Sequence, residues 1–228
     1  MDEHFTPPAG LDVWTYARLG DLGAAHHLIR YEWLRRVLTG QPQVKSVLDA
    51  GCGAGYGTYL LAKEFPNMTV CGVDYDPSGV ADSKSRYRLS NLSYSLGDLT
   101  NWDATIGVTC YDAIVSFDSI EHVKHRELVM ECFVRHLRPE GSLFLSTPCG
   151  APVNNLKPEW DAHQIEFSTA SLFDFVRRYF SVVIRPEEAT FPHGEAFDEL
   201  REAGIDYLLR CNPIICREPI SIPNPYRG

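Results

Sequence analysis

The sequence comprises 228 residues, of which 44% are hydrophobic and 11% aromatic, enough apolar content for one sizeable core. The formal net charge of -9 supplies no overall positive field, so nucleic acid and anionic membrane surfaces are not the expected partners. The seven cysteines contain no CxxC pair, which argues against both a disulfide framework and a zinc cluster.

The amino-terminal segment MDEHFTPPAG has neither the basic nor the apolar region of a signal peptide, and no apolar run approaches the length of a membrane span. We therefore expect a soluble, cytoplasmic protein without a membrane partner. Residues 1–21 begin with a polar stretch containing proline and glycine, and they are expected to form an N-terminal arm. Residues 22–228 are expected to form a single domain, and the sequence leaves a homodimer open.

The first predicted helix runs from Leu22 to Leu38, because apolar residues recur there at helical spacing until Gly40 and Pro42. Strand-like and helix-like segments then alternate, which predicts parallel βαβ units with right-handed crossovers. The five strands predicted in this part are SVLDA, TVCGVD, LSYSLGD, YDAIVSFDS and GSLFLSTP. The helices that follow the first one are predicted over residues 56–65, 77–89, 121–139 and 169–180.

The last part of the chain changes pattern. Two further strand-like runs, SVVIRP and IDYLLRCNPIICR, have no long helix between them, which predicts an antiparallel pair at one edge of the sheet. The predicted fold is therefore α/β: a Rossmann-like, doubly wound, mostly parallel seven-stranded sheet with an antiparallel C-terminal edge.

The turn after the first predicted strand is rich in glycine and reads DAGCGAG over residues 49–55. Glycines let a ligand approach the main chain closely, and strand-to-helix turns of open α/β sheets are where ligands bind. The pattern is GxGxG, whereas a dinucleotide fingerprint would need a glycine where Tyr56 stands, and a phosphate loop would need a GK[ST] ending. A tight turn that binds nothing is the structural alternative.

Acidic residues stand at the ends of the first three predicted strands. Asp49 precedes the glycines, Asp74 ends the second strand, and Asp98 ends the third. An acid about 20 residues beyond such a turn can accept hydrogen bonds from both hydroxyls of a ribose. Asp98 could accept a hydrogen bond from an exocyclic amine, and Asp49 suits an ammonium group better than a pyrophosphate. Asp74 could instead cap the helix that begins near Pro77.

Together, DAGCGAGYG, GVDYD, GDL and YDAIVSFDSIEHV make residues 44–148 resemble the class I S-adenosylmethionine-dependent methyltransferases. The resemblance implies a cofactor-binding core at 44–148, followed by acceptor-side loops and last strands at 149–228. It implies that the glycine turn contacts the methionine part of S-adenosyl-L-methionine, that Asp74 binds the ribose and that Asp98 binds the adenine. The cofactor-binding residues expected from it are Asp49, Gly51, Cys52, Gly53, Gly55, Asp74, Tyr75, Asp98, Leu99 and Phe117.

A second polar group follows the fourth strand in SFDSIEHV. If a helix begins there, Asp118, Glu121 and His122 share one face, and two carboxylates with an imidazole suit Mg²⁺ or Mn²⁺. His163, in the loop after the fifth strand, is the expected fourth ligand. The motif resembles the ExxEH of ubiquinone-pathway O-methyltransferases and small-RNA 2′-O-methyltransferases, with Asp118 where those have Glu. The structural alternative is a capping box with Asp118 at the N-cap and Glu121 at N3.

The resemblance predicts O-methylation of a small molecule, sugar or glycan hydroxyl. A hydroxyl nucleophile benefits from a general base or from a metal that lowers its pKa, and the candidate catalytic residues are Asp118, His122 and His163. An RNA 2′-O-methyltransferase and a non-catalytic S-adenosylmethionine-binding module are the alternatives. The first predicted helix would either close over the cofactor or simply pack on the sheet. The segments PEW, EFS and TFPHGEAFDELREAGIDY are the expected acceptor-recognising insertions.

Overall fold

The computed structural model describes residues 12–101, 109–158, 161–185 and 213–220. The helices in these ranges are α1 (Val13–Arg18), α2 (Leu22–Thr39), α3 (Tyr56–Glu64), α4 (Pro77–Arg86), α5 (Arg126–His136) and α6 (Thr169–Val176). The strands are β1 (Ser46–Ala50), β2 (Thr69–Asp74), β3 (Leu92–Leu96), β4 (Tyr111–Phe117), β5 (Leu137–Ser146), β6 (Cys149–Ala151), β7 (Phe167–Ser168), β8 (Phe180–Ile184) and β9 (Ile214–Pro219).

Seven of these strands form one sheet in the order β3-β2-β1-β4-β5-β9-β8. The pairs from β3 to β5 are parallel, whereas β9 pairs antiparallel with both β5 and β8. The predicted fold class, a mostly parallel α/β sheet with an antiparallel C-terminal edge, is confirmed. The strand order reverses between β1 and β4, so the carboxyl ends of these two strands border the crevice where such sheets bind ligands.

Both faces of the sheet are covered, which explains why its central strands are apolar on both sides. Along β1, Val47 belongs to the core that packs against α2 and α3, and Leu48 belongs to the core that packs against α5 and α6. Successive strand residues point to opposite faces, so this alternation follows from the pleat. Both residues are fully buried.

Part of the predicted N-terminal arm is helical. α1 begins after Asp12, whose carboxylate accepts a 2.8 Å hydrogen bond from the amide of Thr15. Val13 is buried in the same core as the apolar side of α2. An N-cap and one buried side chain therefore stabilise a short helix in a stretch that the sequence predicted as an arm.

The long helix predicted over residues 121–139 is wrong at both ends. A short 3-10 turn at Ile120–His122 is separated from α5, which ends at His136, and β5 then begins at Leu137. Asp118 has a positive φ of 49°, and the N-cap position of the turn is Ser119, without a side-chain capping bond. The capping box is therefore wrong as well, and Asp118 and Glu121 do not share a regular α-helical face.

Several predicted segments lie outside the described residues: 1–11, the Glu159–Trp160 part of PEW, and the insertion at 190–207. In the segment that joins β5 to α6, strands β6 and β7 form a separate parallel pair that the sequence did not predict. In the part of the chain that the structure describes, no helix is both long and apolar enough to cross a membrane.

Candidate functional site

The glycine turn after β1 adopts backbone conformations that require glycine. Gly51 and Gly55 have φ values of 80° and 76°, in the left-handed region. The amides of Gly51 and Cys52 both donate to the carbonyl of Val73, at 2.8 and 3.0 Å, which ties the turn to the end of β2. A Cβ on Gly51 would come within 2.9 Å of the Cβ of Ser119, so the turn also packs closely against the segment after β4.

Asp74, at the end of β2, is fixed by the same turn. Its two carboxylate oxygens accept hydrogen bonds from the amide of Gly53, at 2.8 Å, and from the amide of Asp76, at 3.0 Å. The N-cap of α4 is Asp76, which accepts from Ser78 and Gly79. The alternative in which Asp74 caps this helix is therefore wrong, and its buried carboxylate stands beside the glycine turn.

A cavity of about 900 Å³ opens at this edge of the sheet, between the ends of β1 and β4. Seven of the predicted site residues line it: Gly51, Asp74, Tyr75, Asp98, Leu99, Asp118 and His122. The other residues on its wall are Leu96, Gly97, Thr100, Ser119, Val123, Lys124, His125, Asp161, Ala162 and Gln164. Ser119 and Val123 lie within the motif SFDSIEHV, but the sequence offered no reason to assign either of them a role in the site.

The side chain of Asp98 is exposed at the cavity. Its Oδ1 accepts hydrogen bonds from the amide and the hydroxyl of Thr100, at 2.8 and 2.7 Å. Leu99 beside it is buried, whereas Tyr75 is 60% exposed. A cavity wall that includes a carboxylate, an aliphatic and an aromatic side chain can bind a flat ring that carries an amine.

Asp49 is not on the cavity wall. Its fully buried carboxylate accepts hydrogen bonds from the Tyr31 hydroxyl, at 3.1 Å to each oxygen, and from Thr58 Oγ1, at 2.7 Å. Burial raises the pKa of Asp49 to about 7. Four other predicted cofactor residues, Cys52, Gly53, Gly55 and Phe117, do not line this cavity either, and Phe117 packs edge-on against Tyr31.

Asp118 forms an ion pair that joins the cavity to α2. Its Oδ2 lies 2.8 Å from Nη2 of Arg30 and 3.3 Å from Nε2 of His26, and its Oδ1 accepts a 3.1 Å hydrogen bond from Ser146. Burial alone would raise the pKa of Asp118, but the positive charge of Arg30 and the hydrogen bond from His26 outweigh it and hold the pKa below its ordinary value. Asp118 is therefore a carboxylate at neutral pH.

Three of the four predicted metal ligands converge next to the cavity. One ligand atom of each of Glu121, His122 and His163 lies within 4.8 Å of the others, and Asp118 is not part of this group. The ring centroids of His122 and His163 are 4.8 Å apart. Asp118 instead directs its carboxylate to Arg30, which explains why the predicted four-residue set does not form.

Glu121 is fully buried. Its Oε2 accepts a 2.8 Å hydrogen bond from Thr147, and its Oε1 has no hydrogen-bond partner among the described residues. Burial, together with the charge of Asp118, raises the pKa of Glu121 well above its ordinary value. Thr147 follows β5 in the segment STP, and nothing in the sequence marked it as part of the site.

The two histidines are oriented by hydrogen bonds at Nδ1. Nδ1 of His122 lies 3.2 Å from the carbonyl oxygen of Ala162, so this nitrogen carries the proton and donates. Nδ1 of His163 lies 3.0 Å from Oε1 of Glu166. The amide of Gln164 donates to the carbonyl of Glu121, at 2.7 Å, which attaches the later loop to the 3-10 turn. Both rings therefore have defined orientations, as in sites where a second hydrogen bond fixes a ligand or base.

The cavity lies at the point where the strand order reverses, which is the ligand site of α/β proteins that bind nucleosides and their derivatives. A family model described as a methyltransferase domain matches residues 24–178, more than half of the chain. The chain belongs to this family of methyltransferase domains, as the sequence motifs predicted.

Curated relatives agree with this family. The chain is 35% identical over 144 residues to a protein of Mycobacterium tuberculosis named as a probable S-adenosylmethionine-dependent methyltransferase. This alignment covers 62% of this chain and 50% of that protein. It is 30% identical over 115 residues to the mitochondrial ubiquinone biosynthesis O-methyltransferase of Rattus norvegicus, over 44% of this chain and 30% of that one. The chain thus spans half or less of the length of these relatives.

Solved structures share the fold. A chain of the complex between the Haloferax volcanii Trm112 methyltransferase activator and a methyltransferase superposes with a TM-score of 0.62 at 16% identity, over 92% of this chain and 98% of that one. The O-methyltransferase from a trans-AT PKS multienzyme of Brevibacillus brevis, solved with S-adenosyl-L-homocysteine, superposes with a TM-score of 0.61 at 13% identity. The superposition covers 93% of this chain and 81% of that one. At these identities the likeness concerns the fold alone.

Proposed function

We propose that this protein transfers a methyl group from S-adenosylmethionine to a hydroxyl group of a small molecule, sugar or glycan. The observation that supports this most directly is one cavity of about 900 Å³ whose wall includes Asp74 and Asp98 as well as Asp118 and His122. A cofactor held by the first two residues would share the cavity with an acceptor near the other two. Such an arrangement suits the in-line geometry of methyl transfer.

The cofactor end carries the groups that a nucleoside requires. Asp74 is held rigidly by two backbone amides, and a carboxylate at this position accepts hydrogen bonds from ribose hydroxyls. Tyr75 and Leu99 offer apolar surface for a purine ring, and Asp98 can accept a hydrogen bond from its amine. Gly51 has no side chain between its backbone and the cavity, so a bound group can approach the main chain closely.

The acceptor end supplies the proton chemistry. Bound S-adenosylmethionine carries a methyl group already activated for transfer, so the protein has to align the nucleophile and remove its proton. Because Nδ1 of His122 donates to Ala162, Nε2 is the basic atom of the neutral form of its ring. We assign His122 as the general base, with His163 beside it and Asp118 as a fixed negative charge on the cavity wall.

A divalent cation at Glu121, His122 and His163 is the alternative to base catalysis by His122, because with Nδ1 donating to Ala162 the cation would occupy Nε2. The buried Oε1 of Glu121 has no hydrogen-bond partner among the described residues, and a cation beside the two imidazoles would compensate its charge. One carboxylate and two imidazoles suit Mn²⁺ better than Mg²⁺, which prefers an all-oxygen site. A cation here would lower the pKa of an acceptor hydroxyl.

The test is calorimetric titration with S-adenosylhomocysteine, NAD and NADP, followed by transfer of labelled methyl from S-adenosylmethionine to panels of phenols, sugars, glycans and short RNAs. We expect binding of S-adenosylhomocysteine and not of the nicotinamide cofactors, and transfer to a hydroxyl of a non-nucleic-acid acceptor. Absence of S-adenosylhomocysteine binding would disprove the cofactor assignment. Labelling of RNA, or of an amine, would show that the acceptor is not a hydroxyl of a small molecule, sugar or glycan.

A further inference from the structure

Arg30 of α2 is a buried charge far in sequence from the motifs of the site. Its side chain is 2% exposed, and its Nη2 lies 2.8 Å from Oδ2 of Asp118. Nη1 donates a 2.7 Å hydrogen bond to the carbonyl of His26, and Nη2 also contacts the His26 ring. A buried guanidinium is unfavourable unless it is paired and hydrogen-bonded, so these contacts define one orientation of the side chain.

The partner of Arg30 has an unusual backbone. Asp118 has a φ of 49°, which residues other than glycine adopt rarely, and surrounding contacts must hold it there. Ser146 supplies two of these contacts, since its carbonyl accepts the amide of Asp118 at 3.0 Å and its hydroxyl donates to Oδ1 at 3.1 Å. The chain leaves β4 through this residue and enters the turn that contains Glu121 and His122. The conformation of Asp118 therefore sets the direction in which that turn starts.

The next residue of α2 holds the neighbouring strand. Tyr31 donates to the carboxylate of Asp49 in β1, at 3.1 Å. Adjacent residues of one helix thus bind the carboxyl-end regions of β1 and β4, the two strands that border the ligand crevice. A helix attached at both points cannot shift at Arg30 without also shifting at Tyr31.

We infer that Arg30 is a positioning residue for the acceptor side of the site: through Asp118 it holds the backbone conformation from which the Glu121–His122 turn departs. The inference rests on the proposed function for its meaning in catalysis, but the geometry that it describes can be tested without an acceptor. Arg30 itself does not line the cavity, so it acts through Asp118. α2 is then part of the reaction geometry as well as a cover for the sheet.

The test compares the wild type with Arg30→Gln, with the double variant Arg30→Gln/Asp118→Asn, and with Arg36→Gln. The double variant removes both charges, so it should fold even if the single variant, with an uncompensated buried carboxylate, does not. Arg36, on the same helix, is 47% exposed and serves as the matched control. The readouts are the ¹H–¹⁵N spectrum of the histidine rings, with His122 assigned from His122→Gln, and the affinity for S-adenosylhomocysteine.

We expect the wild type and Arg36→Gln to share one His122 signal with the proton on Nδ1. In Arg30→Gln, and in the double variant if the single variant does not fold, that signal should shift or broaden, while the S-adenosylhomocysteine affinity of a folded Arg30→Gln stays within about twofold because Arg30 does not line the cavity. An unchanged His122 signal in the folded variant overturns the inference. So does a large loss of affinity with an unchanged His122 signal. Failure of the wild type to bind S-adenosylhomocysteine disproves the proposed function alone.

Discussion

Oε1 of Glu121 lies 4.0 Å from Nε2 of His122, the next residue in the chain. Burial and the charge of Asp118 raise the pKa of Glu121 well above its ordinary value, which favours the protonated form of its carboxyl group. A cation bound between this carboxyl group and the oriented imidazoles of His122 and His163 would favour the charged form of Glu121, so the protonation of Glu121 and cation binding are coupled. The first prediction follows from this coupling.

We expect Mn²⁺ alone to bind the purified protein, measured by electron paramagnetic resonance of the free ion. Glu121→Gln should weaken binding at least about tenfold, and Glu166→Ala, which removes the contact at Nδ1 of His163, by about tenfold. Glu127→Gln, on the exposed side of α5, is the matched control and should change nothing. Equal Mn²⁺ affinity in Glu121→Gln and the wild type would remove the cation from the proposal.

Gly51→Ala should destabilise the protein and impair cofactor binding. Its φ of 80° costs a residue with a side chain about 1–3 kcal/mol, and the added Cβ would meet Ser119. The matched control is Gly40→Ala at the end of α2, where φ is -80° and the nearest atom to an added Cβ is 3.6 Å away. Urea unfolding and S-adenosylhomocysteine titration measure both effects. Wild-type stability in Gly51→Ala would contradict the strained turn.

Asp74→Asn should weaken S-adenosylhomocysteine binding at least about tenfold, because a carboxylate hydrogen bond contributes more than that of a neutral amide. Asp76→Ala separates this effect from simple destabilisation, since Asp76 caps α4 and does not line the cavity. It should cost about 1 kcal/mol of unfolding free energy and leave the affinity unchanged. If both variants bind equally well, Asp74 does not hold the ribose.

The buried Asp49 should make stability fall with pH. Burial raises its pKa from 3.8 to about 7, so between these values the folded state holds a proton that the unfolded chain has released. The unfolding free energy should then decrease as pH rises through this window, by at most about 1.4 kcal/mol per pH unit, and level off above it. The destabilising contribution is absent below the unfolded pKa.

Asp49→Asn removes this contribution because an amide side chain does not titrate. Its amide oxygen can still accept hydrogen bonds from Tyr31 and Thr58. The difference in unfolding free energy between the variant and the wild type should therefore grow in favour of the variant from pH 4 to pH 7. Asp82→Asn, at a surface ion pair with Arg86, is the control. Parallel pH profiles of Asp49→Asn and the wild type would show that Asp49 does not titrate in this range.

The alternation of strands and helices was predictable because it depends on local periodicity. SVLDA and TVCGVD are short, apolar and bounded by turn residues, and they form β1 and β2 at the predicted positions. The region after β4 was not predictable in the same way. There the sequence EHVKHREL has helical spacing, but hydrogen bonds between Asp118 and Ser146 hold the chain in a turn before α5 begins.

Sequence by itself determined the fold class and the family motifs, because glycine conformations and strand-end acids are encoded in short contiguous segments. Only the tertiary structure decided which side chains meet. It turned Asp49 away from the cavity and paired Asp118 with Arg30, and it brought His163 to Glu121 and His122. These partnerships join residues far apart in the chain, so they follow from how helices and loops pack on the sheet rather than from any local pattern.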